Sequence, residues 1–143
     1  MSVNTEMTTL RQRREAIVQE HMDAENRHDV DATLATFHRP CYDVVPVNEM
    51  HDGSDSVRDL WEDIFSALPD WHCEPGPMFH ADDAVFVEVR MTGTQMGEWQ
   101  GIPATGRPID VRVGCLFEFE DDRLLCERTY FDFLTILRQL GVA

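Results

Sequence analysis

The sequence predicts an α+β fold in which three N-terminal helices pack against a cone-shaped, curved antiparallel sheet. In the first half, apolar residues recur at helical spacing in three segments, at 8–28, 31–38 and 55–68. In the second half, apolar and polar residues alternate as in strands, at 71–80, 84–96, 108–120 and 123–132. Helices followed by a run of strands are typical of α+β domains. The 143 residues suit one core, so we expect a single domain over 1–143.

The helices have recognisable starts and stops. Residues 8–28 place Leu10, Ile17, Val18 and Met22 on one face. The second helix can be capped by Asp29 or Asp31 and ends before Pro40. Ser54 or Asp55 can cap the third helix, which Pro69 stops. Its apolar stripe is Val57, Leu60, Trp61, Ile64, Phe65 and Leu68.

The strands also have identifiable limits. Residues 41–47 read as a strand that Pro46 either confines to an edge or ends, followed by a turn at 51–54. The tight turn at 120–123 joins the last two strands into a hairpin. Residues 133–141 form a short terminal helix that stops at Gly141. Helices capping one end of a curved sheet leave a cone-shaped, largely apolar pocket.

The charge balance narrows the classes of partner. The chain has 27 acidic and 12 basic residues, every basic residue is Arg, and the net charge is −15. Such a charge repels nucleic acid and anionic membranes, so we expect neither as a partner and favour an apolar small molecule. No apolar run is long enough to span a bilayer, and residues 1–22 are polar rather than a signal peptide. We therefore expect a cytoplasmic protein.

We expect no metal and no organic cofactor. The four cysteines, Cys41, Cys73, Cys115 and Cys126, lack zinc spacing and are expected to be free, buried thiols. His21 and Glu25 have the i, i+4 spacing of a ligand pair, but no third ligand has a motif. The Gly-rich segment 101–106 lacks a phosphate-loop pattern.

Asp132 is a carboxylate in an apolar stretch where a strand passes into a helix. A two-residue turn at 121–122 and strict alternation give one inner face on the last two strands. That face carries Val111, Val113, Cys115, Phe117, Phe119, Leu124, Cys126, Arg128, Tyr130 and Asp132. Asp132 then points inward, and two roles stay open. It caps the terminal helix, or it is a general acid/base whose pKa is raised by an apolar cavity.

Two segments carry a resemblance to a known family. They are 93-GTQMGEWQGIPATGRPID-110 and 117-FEFEDDRLLCERTYFDFLTILRQLG-141. Together they resemble the SnoaL-like polyketide cyclases of the nuclear-transport-factor-2-like superfamily, whose fold is a cone-shaped α+β barrel. The resemblance implies a cofactor-free intramolecular aldol ring closure. It also implies an acid/base carboxylate at the end of the last strand, the position of Asp132. Gln95 departs from the family pattern, which has a His at this position. A His could carry a proton, whereas Gln95 can donate a hydrogen bond but cannot carry a proton.

Further residues could support this chemistry. Tyr130 and Gln95 could donate hydrogen bonds to an enolate, and Arg128 could orient Asp132 or form a salt bridge. Tyr130 could equally be a packing residue. Pocket-lining candidates are Tyr42, Trp61, Phe65, Trp99, Met78, Val113 and Cys115, although an aromatic stripe at helical spacing is also typical of a core.

Two functions follow from this pattern. The first is an enzyme, a polyketide cyclase or isomerase that performs acid/base chemistry on an apolar carbonyl compound. The second is a non-catalytic small-molecule-binding or dimerisation domain of the same fold. The resemblance also implies a homodimer formed through the exposed face of the sheet. An inward Asp132 with a raised pKa favours the enzyme, and a capping Asp132 with a low pKa favours the binding domain.

Overall fold

A computed structural model describes residues 8–143 of the chain. Residues 1–7, part of the polar N-terminal stretch, lie outside the described residues. The helices are α1 (Leu10–Asn26), α2 (Val30–Ala35), α3 (Ser54–Ala67) and α4 (Phe133–Gln139). The strands are β1 (Cys41–Val44), β2 (Glu49–Asp52), β3 (His72–His80), β4 (Ala84–Thr94), β5 (Pro108–Glu120) and β6 (Arg123–Tyr130). None of the helices in this part of the chain is long and apolar enough to cross a membrane.

The helices begin where the local chemistry favours it. Thr9 and Gln12 form a reciprocal capping box at the start of α1. Asp29 caps α2 by accepting the backbone N–H of Ala32, as one of the two predicted caps would. The predicted caps of α3 are wrong, because Gly53 precedes this helix and no side chain caps it.

The six strands form one open sheet in the order β2-β1-β6-β5-β4-β3. All neighbours are antiparallel except β1 and β6, which run parallel. The predicted single strand at 41–47 is instead a hairpin, because a 3₁₀ turn at Val45–Val47 lets the chain return as β2. The predicted turn at 51–54 lies partly in that second strand.

The core lies between the concave face of the sheet and the helices. On β5, every second residue from Ile109 to Phe119 is buried, as strict alternation predicts. The helix α1 packs on β3, β4 and β6, and α3 packs near β1 and β2. The fold class predicted from the sequence, an α+β fold with a curved sheet and helices, is confirmed.

The strand β6 breaks its alternation once. Phe119 pairs with Leu124, but the preceding residue Glu118 pairs with Cys126, so Leu125 is an extra residue on β6. Such a β-bulge reverses the direction of every later side chain on the bulged strand. Glu127 therefore pairs with the buried Phe117 and points inward, whereas strict alternation predicts that it points outward.

Candidate functional site

An apolar cavity of about 90 Å³ lies between α1, α3 and the inner face of the sheet. Aromatic side chains form much of its wall. They are Tyr42, Trp61, Trp71, Trp99, Phe117, Phe131 and Phe133. Five polar side chains interrupt this apolar surface, namely Glu25, Tyr42, Gln100, Glu127 and Thr129. A cavity with a few convergent polar groups in an apolar wall is the usual form of a small-molecule site.

Three of these polar groups, those of Glu25, Glu127 and Tyr42, converge on one nitrogen of His21. The His21 Nε2 lies 2.8 Å from Glu127 Oε1, 3.1 Å from Glu25 Oε2 and 2.6 Å from the Tyr42 hydroxyl. The Tyr42 hydroxyl also donates to Glu25 Oε2 at 2.6 Å. All four residues are at most 4 % exposed. We call His21, Glu25, Tyr42 and Glu127 the buried tetrad.

The other ring nitrogen fixes the orientation of the imidazole. The Thr36 hydroxyl donates a hydrogen bond to the Thr33 carbonyl at 2.7 Å, so its oxygen can accept a hydrogen bond from another donor. His21 Nδ1 lies 2.8 Å from that oxygen and therefore acts as the donor. This bond directs Nε2 towards the two carboxylates.

The protonation of the tetrad follows from its burial and its charges. Burial alone would lower the pKa of His21, but the carboxylates of Glu25 and Glu127 outweigh it and raise that pKa to about 10. Burial raises the pKa of Glu25, His21 lowers it in part, and Glu127 adds to the rise. Burial and the same two carboxylates raise the pKa of Tyr42 well above its usual value. At neutral pH, His21 is an imidazolium and Tyr42 a neutral phenol.

Three features of the backbone assemble the tetrad. His21 and Glu25 are one helical turn apart on α1, so they share a face. Tyr42 and Glu127 are directly opposed in the parallel β1–β6 pair. The bulge at Leu125 turns Glu127 to the inside. The sequence shows the His21–Glu25 spacing, but no local motif marks the bulge or the β1–β6 pairing that bring in the other two.

The inward position predicted for Asp132 is wrong. Because of the bulge, Phe131 and Phe133 face the cavity and Asp132 is exposed between them. Its carboxylate caps α4, accepting the backbone N–H of Leu134 at 3.0 Å and the hydroxyl proton of Thr135 at 2.8 Å. These hydrogen bonds lower the pKa of Asp132, and the bond from the Thr135 hydroxyl is the largest cause. Of the two roles left open, the structure places Asp132 in the capping role, so this residue does not support the enzyme, and a catalytic function has to rest on another group.

The bulge also reverses Arg128 and Tyr130, whose predicted inward positions are wrong. Arg128 pairs with Glu118 at 2.6 Å and lies 3.6 Å from Asp43, so the salt-bridge interpretation applies to it. Tyr130 is 46 % exposed at the end of β6.

Gln95 is fully buried, but the cavity wall does not include it. Its amide donates to the Ile102 carbonyl at 2.9 Å, and its Oε1 accepts the Thr105 hydroxyl proton at 2.7 Å. Gln95 therefore braces the loop between β4 and β5 and does not approach the tetrad.

Most of the predicted lining residues lie on the cavity wall. They are Tyr42, Trp61, Trp99, Val113 and Cys115. Phe65 does not, because its ring stacks on His28 with the centroids 4.1 Å apart. Met78 also lies away from the cavity, beside α1.

The cysteines divide into two pairs. Cys73 and Cys115 are free and buried, as predicted, and burial raises the pKa of both thiols. The prediction is wrong for Cys41 and Cys126, which form a disulfide across the β1–β6 pair. They are 85 residues apart in sequence, so no local spacing could reveal them. The disulfide directly precedes Tyr42 and Glu127 on their strands.

The His21, Glu25 and Glu127 ligand atoms all lie within 4.8 Å of one another, a spacing that could also hold a metal ion. Glu127 supplies the third ligand group, which no motif in the sequence marks. In the structure, the protons of His21 and Tyr42 join these groups by hydrogen bonds.

Comparison with protein families and solved structures supports the same fold. The profile described as SnoaL-like polyketide cyclase matches residues 15–140, nearly the whole chain. No curated protein is similar enough in sequence to match.

Two solved structures illustrate the likeness. A protein from Jannaschia sp. CCS1, provisionally assigned as a SnoaL-like polyketide cyclase, has 20% identity and a TM-score of 0.79, covering 92% of this chain and 93% of its own. A protein from Xanthomonas campestris, provisionally assigned as a polyketide cyclase, also has 20% identity and a TM-score of 0.79, covering 92% of this chain and 99% of its own.

A third structure has a ketosteroid isomerase-like fold and comes from Catenulispora acidiphila. It has 16% identity and a TM-score of 0.76, covering 89% of this chain and 93% of its own. At such identities the likeness concerns the fold, which is that of the nuclear-transport-factor-2-like and ketosteroid isomerase-like proteins.

Proposed function

Since the chain belongs to the SnoaL-like polyketide cyclase family, we propose that it is an enzyme that performs acid/base chemistry on an apolar carbonyl compound in the cavity. The reaction is a ring closure of the aldol type or a shift of a double bond. Both begin with the removal of a proton from a carbon beside a carbonyl group, which a carboxylate with a raised pKa can accept.

The observation that carries the proposal is the environment of Glu25. Its carboxyl group lies on the wall of an apolar cavity, and burial raises its pKa. Within residues 8–143, its two hydrogen bonds, from Tyr42 and His21, both reach Oε2. Oε1 is thus the oxygen available to a substrate. We assign Glu25 the role of acid/base and Glu127 that of holding the His21 imidazolium in place.

The proposed step is balanced without a further reactant. The ionised Glu25 takes a proton from the carbon beside the carbonyl, the C–H bond breaks, and its electron pair moves to the carbonyl oxygen as an enolate. In a ring closure, the enolate carbon attacks a second carbonyl carbon and Glu25 gives its proton to the resulting alkoxide. In a double-bond shift, the anion is a dienolate and Glu25 gives the same proton to its γ carbon.

Proton exchange tests this role without knowledge of the substrate. We expect the protein to accelerate the exchange of α-protons of small cyclic and aryl ketones in D₂O, followed by NMR. Glu25→Gln keeps the shape and most hydrogen bonds but cannot take a proton, so the rate should fall by roughly 10²- to 10⁴-fold. Circular dichroism and the melting temperature check that the variant is folded.

Asp132→Asn is the matched comparison, because the family resemblance points to that position. It should retain the exchange activity, since Asn also caps helices. Loss of activity in Asp132→Asn but not in Glu25→Gln would contradict the assignment and return the role to Asp132. A wild-type protein that binds the ketones but exchanges none would support the non-catalytic binding domain instead.

We also propose a homodimer that forms through the outer face of the sheet. It is supported by two exposed aromatic side chains on that face, Phe79 at 60 % and Phe86 at 38 % exposure. They are directly opposed on β3 and β4.

A further inference from the structure

The indole N–H of Trp61 is a buried donor without an acceptor. Trp61 lies on α3, is 5 % exposed and forms part of the cavity wall. Within the described residues, its Nε1 atom has no hydrogen-bond partner. Buried tryptophan N–H groups usually have one, because an unsatisfied donor in an apolar setting is costly. An unpaired donor on a cavity wall indicates that a bound molecule supplies the acceptor.

The indole is held in one orientation by its aromatic neighbours. The Trp71 ring packs edge-on against it at 5.0 Å between centroids, and the Tyr42 ring does so at 5.7 Å. The Phe65 ring lies at 5.1 Å, tilted by 35°. With rings on three sides, the indole has little room to turn its N–H elsewhere. The donor is therefore preorganised for a ligand.

The N–H lies at the polar end of the cavity. It lies close enough to the Tyr42 hydroxyl to lower the pKa of that group as a weak donor, but the contact does not have the geometry of a full hydrogen bond, so the N–H stays unsatisfied. Tyr42 in turn contacts Glu25 at 2.6 Å. An oxygen bound at Trp61 Nε1 is thus a near neighbour of the proposed acid/base.

The size of the cavity limits what can carry this oxygen. Its volume is about 90 Å³. An apolar cavity of about 150 Å³ takes benzene, and sites for drug-sized ligands reach roughly 300–1,000 Å³. The cavity is smaller than both, so a ligand of about one ring is the largest that it takes without rearrangement. Widening it for several rings would require moving buried, interlocked aromatic side chains.

We propose that the cavity binds a carbonyl compound of about one ring, whose carbonyl oxygen accepts a hydrogen bond from the Trp61 indole. This proposal names the class of substrate for the enzyme proposed above, and to that extent it rests on the proposed function. It excludes multi-ring polyketides as the preferred ligands.

A matched pair of probes isolates the hydrogen bond. Acetophenone and α-methylstyrene have nearly the same shape, but only acetophenone has a carbonyl oxygen. We expect the wild-type protein to bind acetophenone about three- to tenfold more tightly, as one added hydrogen bond allows. NMR titration of the amide signals measures both affinities.

The variant Trp61→Phe keeps an aromatic ring and removes the N–H, so the preference for acetophenone should disappear. Phe79→Leu, which changes an exposed aromatic residue outside the cavity wall, should retain it. In the wild type, the Trp61 indole proton signal should move downfield with acetophenone and not with α-methylstyrene. This last measurement stays decisive if a variant fails to fold.

Ring number tests the size limit. The affinity should decrease from acetophenone to 2-acetylnaphthalene and again to 2-acetylanthracene. A rise along this series would overturn the size limit, and an unchanged preference in Trp61→Phe would overturn the hydrogen bond. Because these are binding measurements, they stand apart from proton exchange. Loss of exchange in Glu25→Gln with the same ligand preference would support both proposals, and either can fail alone.

Discussion

His21 is a fully buried imidazole that two carboxylates hold in its charged form. Its pKa is raised to about 10, whereas in the unfolded chain it has its usual value near 6.5. Between these values, the folded protein keeps a proton that the unfolded chain has lost. Folding is therefore most strongly favoured by this group below pH 6.5, and that contribution is lost as the pH rises towards 10.

We predict that the free energy of unfolding falls between pH 6.5 and 10, by up to about 1.4 kcal/mol per pH unit. Urea denaturation at a series of pH values measures this slope. In His21→Gln the slope should be much reduced, and in His72→Gln, which changes an exposed histidine, it should persist. A flat profile in the wild type would show that His21 is neutral in the folded protein.

Some residues of the site could be predicted from the sequence and others could not. The i, i+4 pair of His21 and Glu25 is visible in the sequence because both lie in one helix. Glu127 is hidden, because its direction depends on a bulge two residues earlier. Asp132 is conspicuous in the sequence because its neighbours are apolar, but it is those neighbours, Phe131 and Phe133, that face the cavity.

At the scale of elements, β6 determines which side chains enter the cavity. Leu125 is the extra residue that turns Glu127 inward and Arg128 outward. The helices, the β5 face and the β5–β6 hairpin could be predicted, because their patterns are local and periodic. The bulge and the parallel β1–β6 pairing could not, because they depend on contacts between distant parts of the chain.

Deleting Leu125 should therefore abolish the native fold. The deletion restores strict alternation, which directs Arg128 into the apolar core and Glu127 to the surface. Burying an unpaired arginine costs more free energy than the roughly 5–15 kcal/mol by which a typical domain is stable. Amide NMR spectra should show loss of dispersion, whereas Leu125→Ala, which keeps the bulge, should give a native spectrum. A folded deletion variant would mean that the register can shift elsewhere.

At the scale of the whole molecule, the net charge of −15 opposes the proposed homodimer. Two copies bring like charges together, and salt screens that repulsion over about 10 Å at 0.1 M. The outer face of the sheet, with Phe79 and Phe86, supplies the apolar surface that association would bury.

We predict that raising the salt concentration from about 0.05 to 0.5 M shifts the protein from monomer towards dimer, measured by sedimentation equilibrium. Phe79→Glu should weaken the dimer at all salt concentrations. Met96→Glu, which changes another exposed apolar residue away from the sheet, should not. A monomer at every concentration and salt level would exclude the proposed dimer.

The aromatic wall of the cavity has a consequence for spectroscopy. The chain has three tryptophans, Trp61, Trp71 and Trp99, and all three line the same cavity. The intrinsic fluorescence of the protein therefore originates almost wholly from the site itself. A ligand that displaces water or quenches an indole there will change the emission without any attached dye, so the protein carries its own optical reporter of occupancy.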